Sequence, residues 1–410
     1  MAAVSSTFRS LKYYNARLFF SGLAVSNVGT WLQMTAMSLL VYRLTGEATT
    51  VGITLALQML PTLLLGAWAG VIADGRDRRT MAIITQSALA AQALTLGAID
   101  LAGWANLPVV YGLSLVLGVV NAFDNPARRG LVTELVPTID IPNATSLNTA
   151  VMTGSRIFGP ALAGLLVASI GTAWCFVLNG VTFFAIIFSL VAIRRDEMFP
   201  TLLRPKGGKP IREALSFVVG HRDTLIIYSL LVIVSTVAFN HGTVFPKLAD
   251  VRWGDENAFG FLLAVMSVGS LTGSLLTARQ HVVTMRWLFG SIVLMSFAGF
   301  GLAWAPNLWS AYLWCVPFGL GGAAFIAAAN AITQQECPAD MRGRLLALQA
   351  VAFLGSTPIG GPITGLIADH MSAEWALAYG SVISLVSVAI ARVYWRSASR
   401  SDRRELTPTA

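Results

Sequence analysis

The most suggestive chemistry in this sequence is a carboxylate followed at once by clustered guanidiniums. Asp74 precedes Arg76, Arg78 and Arg79, and another acid, Asp124, lies at the end of a later apolar run. These groups suit electrostatic fastening. A carboxylate at a helix N-terminus gains from the helix dipole and its free N–H groups, and arginine pairs with carboxylates through charge-assisted hydrogen bonds. Gly66 and Gly70, one helical turn apart just before Asp74, would let another backbone approach closely. A second constellation is deeper in the apolar sequence. Asn148, Met152 and Arg156 recur at i, i+4 and i+8 and share one helical face. Arg156 is about eleven residues into its run, or ~17 Å along a helix at ~1.5 Å per residue. A charge so far from either interface is costly and usually faces a partner or a water-filled cavity. Asn27, Thr30 and Met34 share a face of the first run in the same way. There is no phosphate-binding Gly-x-x-x-x-Gly-Lys loop, metal-ligand cluster or Gly-x-Ser-x-Gly element. The chain reads as no enzyme, with no cofactor and no metal, so any work it performs must draw on a gradient.

The elements that position these residues are apolar helices. Hydrophobic residues make up 55% of the chain and charged residues only 12%, against ~25% charged in soluble domains. Twelve runs are long enough to span a bilayer: 17–42, 49–73, 80–101, 107–126, 145–169, 172–193, 223–245, 258–279, 284–304, 308–333, 345–369 and 374–395. Barrel-type alternation is absent. All but four of the 28 lysines and arginines fall on one side of these spans. The exceptions are Arg43, Lys247 and Arg252 on the other side and Arg156 within a span. By the positive-inside rule both termini are cytoplasmic, and the net charge of +8 is topological, with no nucleic-acid partner implied. None of the twenty acids is expected deep within a span; Asp100, Asp124 and Asp369 sit near ends. Cys175, Cys315 and Cys337 show no paired spacing and read as free thiols.

The chain divides into a six-helix bundle over 1–193, a linker over 194–222, a second bundle over 223–395 and a tail over 396–410. The linker ends in a short amphipathic helix over 211–219, suited to the membrane surface. The halves repeat at an offset of 201 residues, which aligns Pro137 with Pro338, Asn148 with Gln349, Gly164 with Gly365 and Trp174 with Trp375. Gly66 and Gly70 have an echo in Gly269 and Gly273.

The segment Gly70 to Arg79 resembles motif A of the major facilitator superfamily, with Gly75 where a basic residue is usual and Asp77 where glycine is usual. Gly154-Ser155-Arg156-Ile-Phe-Gly159-Pro160-Ala-Leu-Ala163-Gly164 resembles that superfamily's antiporter motif C, with Ser155 and Ala163 in place of glycines. Ala73 to Arg79, Asn125 to Gly130, Glu134 to Pro137 and Arg156 to Ala161 together are similar to the bacterial subgroup of enterobactin exporters and macrolide-efflux proteins.

The resemblance implies an all-α membrane protein of two pseudo-symmetric six-helix bundles and secondary active efflux by alternating access. The substrate would be a small hydrophobic or anionic molecule exchanged for protons. It implies that the motif-A acid caps the eleventh helix, near Arg342 and Arg344, and that a motif-A arginine pairs with an acid on the fourth. Asp74, Arg76, Arg78, Arg79, Asp124, Arg342 and Arg344 would then form the conformational switch. Gly154, Ser155, Gly159, Pro160 and Gly164 would pack and kink helix five. Asn27, Met34, Asn148, Met152, Arg156 and Gln349 would line the substrate cavity. Arg156 could instead be a structural arginine satisfied by backbone carbonyls or by Asp124. The expected partners are a small-molecule substrate, protons and membrane lipid, for a functional monomer in a bacterial cytoplasmic membrane. Lipid movement on the same fold, or a non-transporting sensor, stay as alternatives.

Overall fold

A computed structural model describes residues 8–199, 210–338 and 341–405. Its transmembrane helices are α1 (Tyr14–Thr45), α2 (Ala48–Asp74), α3 (Arg78–Leu101), α4 (Leu107–Glu134), α5 (Thr138–Val167), α6 (Ser169–Ala192), α7 (Arg222–Trp253), α8 (Ala258–Ala278), α9 (Met285–Ala303), α10 (Leu308–Glu336), α11 (Arg342–His370) and α12 (Ala373–Ser397). Eleven of these are long and apolar enough to cross a bilayer. The other, α1, is 32 residues long but less apolar, because Asn27, Thr30 and Gln33 interrupt it. A short helix, Pro210–Gly220, precedes α7.

Several boundaries depart from the expected runs. Helix α4 continues through Pro126 to Glu134, which leaves Asp124 ten residues from its end, ~15 Å by helical rise. Asp124 is 0% exposed within α4. The kink between α5 and α6 falls at Gly171, near the start of the Ser169–Ala192 stretch, where a φ of 82° suits glycine. Helix α7 breaks at Phe239 and Asn240, where the Asn240 Nδ2 donates to the Thr236 carbonyl at 2.6 Å and so satisfies a group freed by the break. Helix α11 breaks at Gly355 and Ser356, and the Ser356 hydroxyl donates to the Phe353 carbonyl at 2.6 Å.

The chain forms two compact units. The first comprises Met1–Gly46, Thr54–Pro205 and Phe259–Ala264. Its core gathers Phe19, Leu131, Leu135, Phe183, Ile186 and Leu190 around small residues such as Ala16, Ala82 and Ala144. Helices α1, α3 and α6 are also tied by a buried amide chain. Asn179 Nδ2 donates to Gln33 Oε1 at 2.7 Å, and Gln33 Nε2 donates to Gln92 Oε1 at 3.0 Å. The second unit comprises Glu47–Ile53, Lys206–Ala258 and Val265–Ala410. Phe239 meets both Phe325 and Phe353 there, and Phe245 meets Phe318.

Glycine spacing does its packing where the backbones actually touch. Gly269 and Gly273 lie against the Val316 and Leu320 carbonyls of α10. Gly66 and Gly70 have no neighbour within 4 Å of a built Cβ among the described residues. In α2 the equivalent service comes from Gly52, against Gly361, and from the approach of Gly118 on α4 to the Gln58 carbonyl.

Candidate functional site

In the first unit, the end bearing the N-terminus and the start of the linker (the linker end) concentrates charge. Asp74 is the last residue of α2, and its side chain lies outside the described residues. Arg76 is exposed. Asp77, the N-cap of α3, accepts from the Arg79 N–H at 3.2 Å and the Thr80 hydroxyl at 2.5 Å. The Arg195 guanidinium approaches it at 3.1 Å. Partial burial works against its charge, but the Thr80 hydroxyl, the Arg195 charge and the backbone N–H groups hold its carboxyl below the ordinary range. The unusual acid in motif A is thus a helix cap.

Arg78 donates to Glu134 at 2.8 Å, with side-chain exposures of 13% and 19%. It lies over Gly130, where a Cβ would sit 2.5 Å from its Nε, so the glycine makes room for the guanidinium. Arg79 closes the C-terminus of α6, donating to the Leu190 carbonyl at 2.6 Å and the Val191 carbonyl at 2.7 Å. Asp124 accepts from Thr85 and Gln86 at 2.8 Å each and from Arg128 at 2.5 Å. The expected grouping of Arg78 with Asp124 resolves into two pairs. The extra length of α4 brings Glu134, not Asp124, to the level of Arg78.

Neighbouring segments fasten to the same end. Ser10 donates through its N–H and hydroxyl to Asn143 at 2.9 and 2.6 Å. Asp140 accepts from Tyr13 at 2.6 Å and pairs with Arg9 and Lys12. Asn15 exchanges two hydrogen bonds of 2.9 Å with the Arg194 backbone. The Phe199 N–H donates to the Glu134 carbonyl at 2.9 Å.

Arg156 places its guanidinium 5.6 Å from the centre of the Trp31 ring, within cation–π range. One turn earlier in α5, Met152 Sδ accepts from Asn27 Nδ2 at 2.9 Å. Asn27, Met152 and Arg156 are thereby collected on the α1–α5 face, with Met34 and Asn148 half-buried on the same two helices. Of the motif-C residues, Gly159 lies against Trp31, Gly164 against Gly260, and Ser155 is buried, while Gly154 has open space beside it. Pro160 lies within the helix.

In the second unit, Arg342 is exposed at the start of α11, and Arg344 pairs with Glu213 of the short linker helix. Gln349 is 4% exposed, and neither amide atom has a partner among the described residues. The three cysteines are free and buried.

Sequence reasoning missed Glu134, Arg128, Arg195 and Trp31 as site partners. Arg128 was findable, since it lies i+4 from Asp124. Asp77 was findable as an N-cap, with a threonine at N3. The Arg78–Glu134 and Arg195–Asp77 pairs join residues 56 and 118 positions apart and carry no local signal.

A family model described as transmembrane secretion effector matches residues 5–407. The multidrug efflux pump Tap of Mycolicibacterium fortuitum is 26% identical, over 86% of this chain and 88% of the pump. The enterobactin exporter EntS of Shigella flexneri is 23% identical, over 87% of this chain and 85% of the exporter. Among solved structures, a bacterial homologue of the human lysosomal transporter Spinster superposes with a TM-score of 0.70 at 15% identity, covering 97% of this chain and 99% of that one. That likeness shows a shared fold.

Proposed function

The chain belongs to the transmembrane secretion effector family of the major facilitator superfamily, and from that membership we propose that it is a proton-coupled exporter working by alternating access. Its cargo is a small hydrophobic or anionic molecule, moved out of the cytoplasm, with the linker end of the helices and both termini on the cytoplasmic side. Tap and EntS, an efflux pump and a siderophore exporter by name, support the direction. The single observation that carries the cargo class is Arg156. It is a cation in an apolar helix, held over Trp31 beside the Asn27–Met152 contact. A guanidinium parked on an aromatic face can exchange that contact for an anionic or hydrogen-bonding group of a substrate.

The switch is assigned to Asp74, Arg76, Arg78, Arg79, Asp124, Arg342 and Arg344. In this reading Arg78–Glu134 and Arg79 on α6 stiffen the loop that presents Asp74. Asp124 is the candidate proton carrier, because its buried carboxylate has three partners, Thr85, Gln86 and Arg128, whose balance protonation would change. Gln349, with its two unengaged amide atoms, is the candidate cavity contact from the second unit.

The test is uptake into inverted membrane vesicles of an anionic siderophore, a neutral macrolide and a cationic dye, with and without a protonophore. Uptake of the first or second that collapses with the proton gradient supports the reading, and Arg156→Gln should weaken the anionic substrate most. Uptake indifferent to the gradient overturns antiport, and preference for the dye overturns the role given to Arg156.

A further inference from the structure

At the linker end of the second unit, one cation has no role in the transport reading. Arg222 is the first residue of α7, and Tyr394 and the short helix Pro210–Gly220 belong to the same unit. The Arg222 guanidinium lies over the Tyr394 ring, 4.7 Å from its centre. That contact uses the flat face of the cation and leaves its edges for hydrogen bonds. Nε and Nη2 are both buried, and neither has a partner among the described residues. These two atoms form the side-on fork that pairs bidentately with a carboxylate or a phosphate. Among the described residues Arg222 is the only arginine with a buried, unengaged guanidinium nitrogen. Arg78, Arg79, Arg128 and Arg344 all donate to oxygens.

The position of Arg222 sharpens the need for an anion. A cation at a helix N-terminus is disfavoured by the dipole, whereas an anion is favoured there. The N-cap residue, His221, gives α7 no side-chain cap. Its ring turns back onto the linker helix instead, stacked on Phe217 at 3.8 Å. Asp223, the next residue, engages neither atom of the fork. The uncapped first turn and the Arg222 fork therefore suit the same ligand, an oxyanion. The surface beside them is apolar. Val219 and Val393 are each 70% exposed, Leu215 is 47% exposed and Tyr394 51%. A soluble anion gains nothing from such a surface, whereas the acyl chains of a lipid do.

We propose that Arg222 is a phosphate site and that the phosphate belongs to an anionic phospholipid of the cytoplasmic leaflet. The headgroup is held by the Nε–Nη2 fork beside Tyr394, and the chains lie against Val219 and Val393. This inference rests on the cytoplasmic placement of the linker end given above and on no step of transport. It predicts that the protein binds phosphatidylglycerol roughly tenfold more tightly than Arg222→Gln does, the scale of a hydrogen-bonded pair with a charged group.

The test is native mass spectrometry of the full-length protein in detergent, titrated separately with phosphatidylglycerol, phosphatidylcholine and inorganic phosphate. Arg222→Gln should lose about tenfold in affinity for the tightest-bound phosphatidylglycerol and little for phosphatidylcholine. Arg222→Lys keeps the charge without the fork and should lose nearly as much. Tyr394→Leu removes the ring that orients the guanidinium and should lose about threefold; it decides the matter if Arg222→Gln does not fold. Arg286→Gln removes an exposed cation at the start of α9 and should change nothing. Wild-type affinity in Arg222→Gln and Tyr394→Leu overturns the site. Full affinity in Arg222→Lys, or an equal loss in Arg286→Gln, overturns the fork and leaves only a general attraction of anionic lipid to basic surface. Inorganic phosphate that binds through Arg222 and displaces the lipid overturns the lipid as its source. Vesicle uptake measured in parallel separates this site from the exporter reading. Arg222-dependent lipid binding without uptake of any substrate sinks the exporter alone, and uptake without Arg222-dependent lipid binding sinks the lipid site alone.

Discussion

Gly164 and Gly365 are repeat mates, and at each a helix backbone lies against the first turn of another helix. Gly164 meets Gly260 at the start of α8, and Gly365 meets Ala48 and Thr49 at the start of α2. Only the second contact carries charge, through Asp369 and Lys247. The repeat offset places an alanine, residue 168, where Asp369 would fall in the first half. Where backbone touches backbone no side chain fits, so both copies of the repeat are constrained to glycine. Charge beyond the contact is under no such constraint and has diverged. One seat is held by shape alone, and the other is held by shape and a removable charge.

The largest effect should come from breaking the seat held by shape alone. A Cβ on Gly164 would overlap the backbone of Gly260, with no flexible side chain to give way. Gly164→Leu is expected to lower vesicle transport at equal expression by about tenfold or more, ~1.4 kcal/mol in the limiting barrier. Gly154→Ala, ten residues earlier in the same motif, has open space and should leave transport unchanged. Equal tolerance at both positions would remove the distinction between a seat and an ordinary small residue.

The same contrast, shape against charge, recurs inside the first unit at Asp124. Its carboxylate is fully buried and holds Thr85, Gln86 and Arg128. Removing one partner of a buried pair usually costs about 3–5 kcal/mol. Asp124→Ala should therefore lower the thermal midpoint of the purified protein well below that of Asp124→Asn, which keeps the Oδ1 acceptor. Adding Arg128→Met to Asp124→Ala should recover part of the loss, since the uncompensated cation is then gone. No recovery in the double variant would mean that Arg128 is satisfied elsewhere when Asp124 is absent.

The fold was legible because helix spans are a composition signal, and the glycine repeat was legible because backbone contact restricts residue type. The candidate site was legible only where its partners are close in sequence. Asp124 and Arg128 are one turn apart, and Asp77 caps its own helix, whereas Glu134, Arg195 and Trp31 find their partners through the packing of whole helices. Pro126 ends the apolar run but not the helix: α4 continues through it to Glu134, which is what brings an acid to Arg78. Gly66 and Gly70 show the limit of that signal, since small residues permit a close approach without requiring one, and among the described residues none lies within 4 Å of where their Cβ would be.

The smallest effect tests whether the linker-end loop also combines shape with charge. Asp77 caps α3 and faces Arg195, but its side chain is 46% exposed, so solvent screens the pair. Asp77→Ala loses the cap and should cost about 1 kcal/mol. Asp77→Asn keeps a good capping side chain and should cost only a few tenths of a kcal/mol, the share owed to charge. The folded carboxyl sits below its ordinary value near 3.9, so folding favours the ionised form. The stabilisation due to charge is complete above that ordinary value and fades as pH falls through the lowered folded value. The gap between wild type and Asp77→Asn should therefore be constant from pH 8 to about pH 5 and close only in stronger acid. Added salt should narrow it at neutral pH by screening Arg195, while leaving the Asp77→Ala deficit nearly intact. A gap that closes between pH 6 and 7 would assign the charge contribution to a group other than this carboxylate.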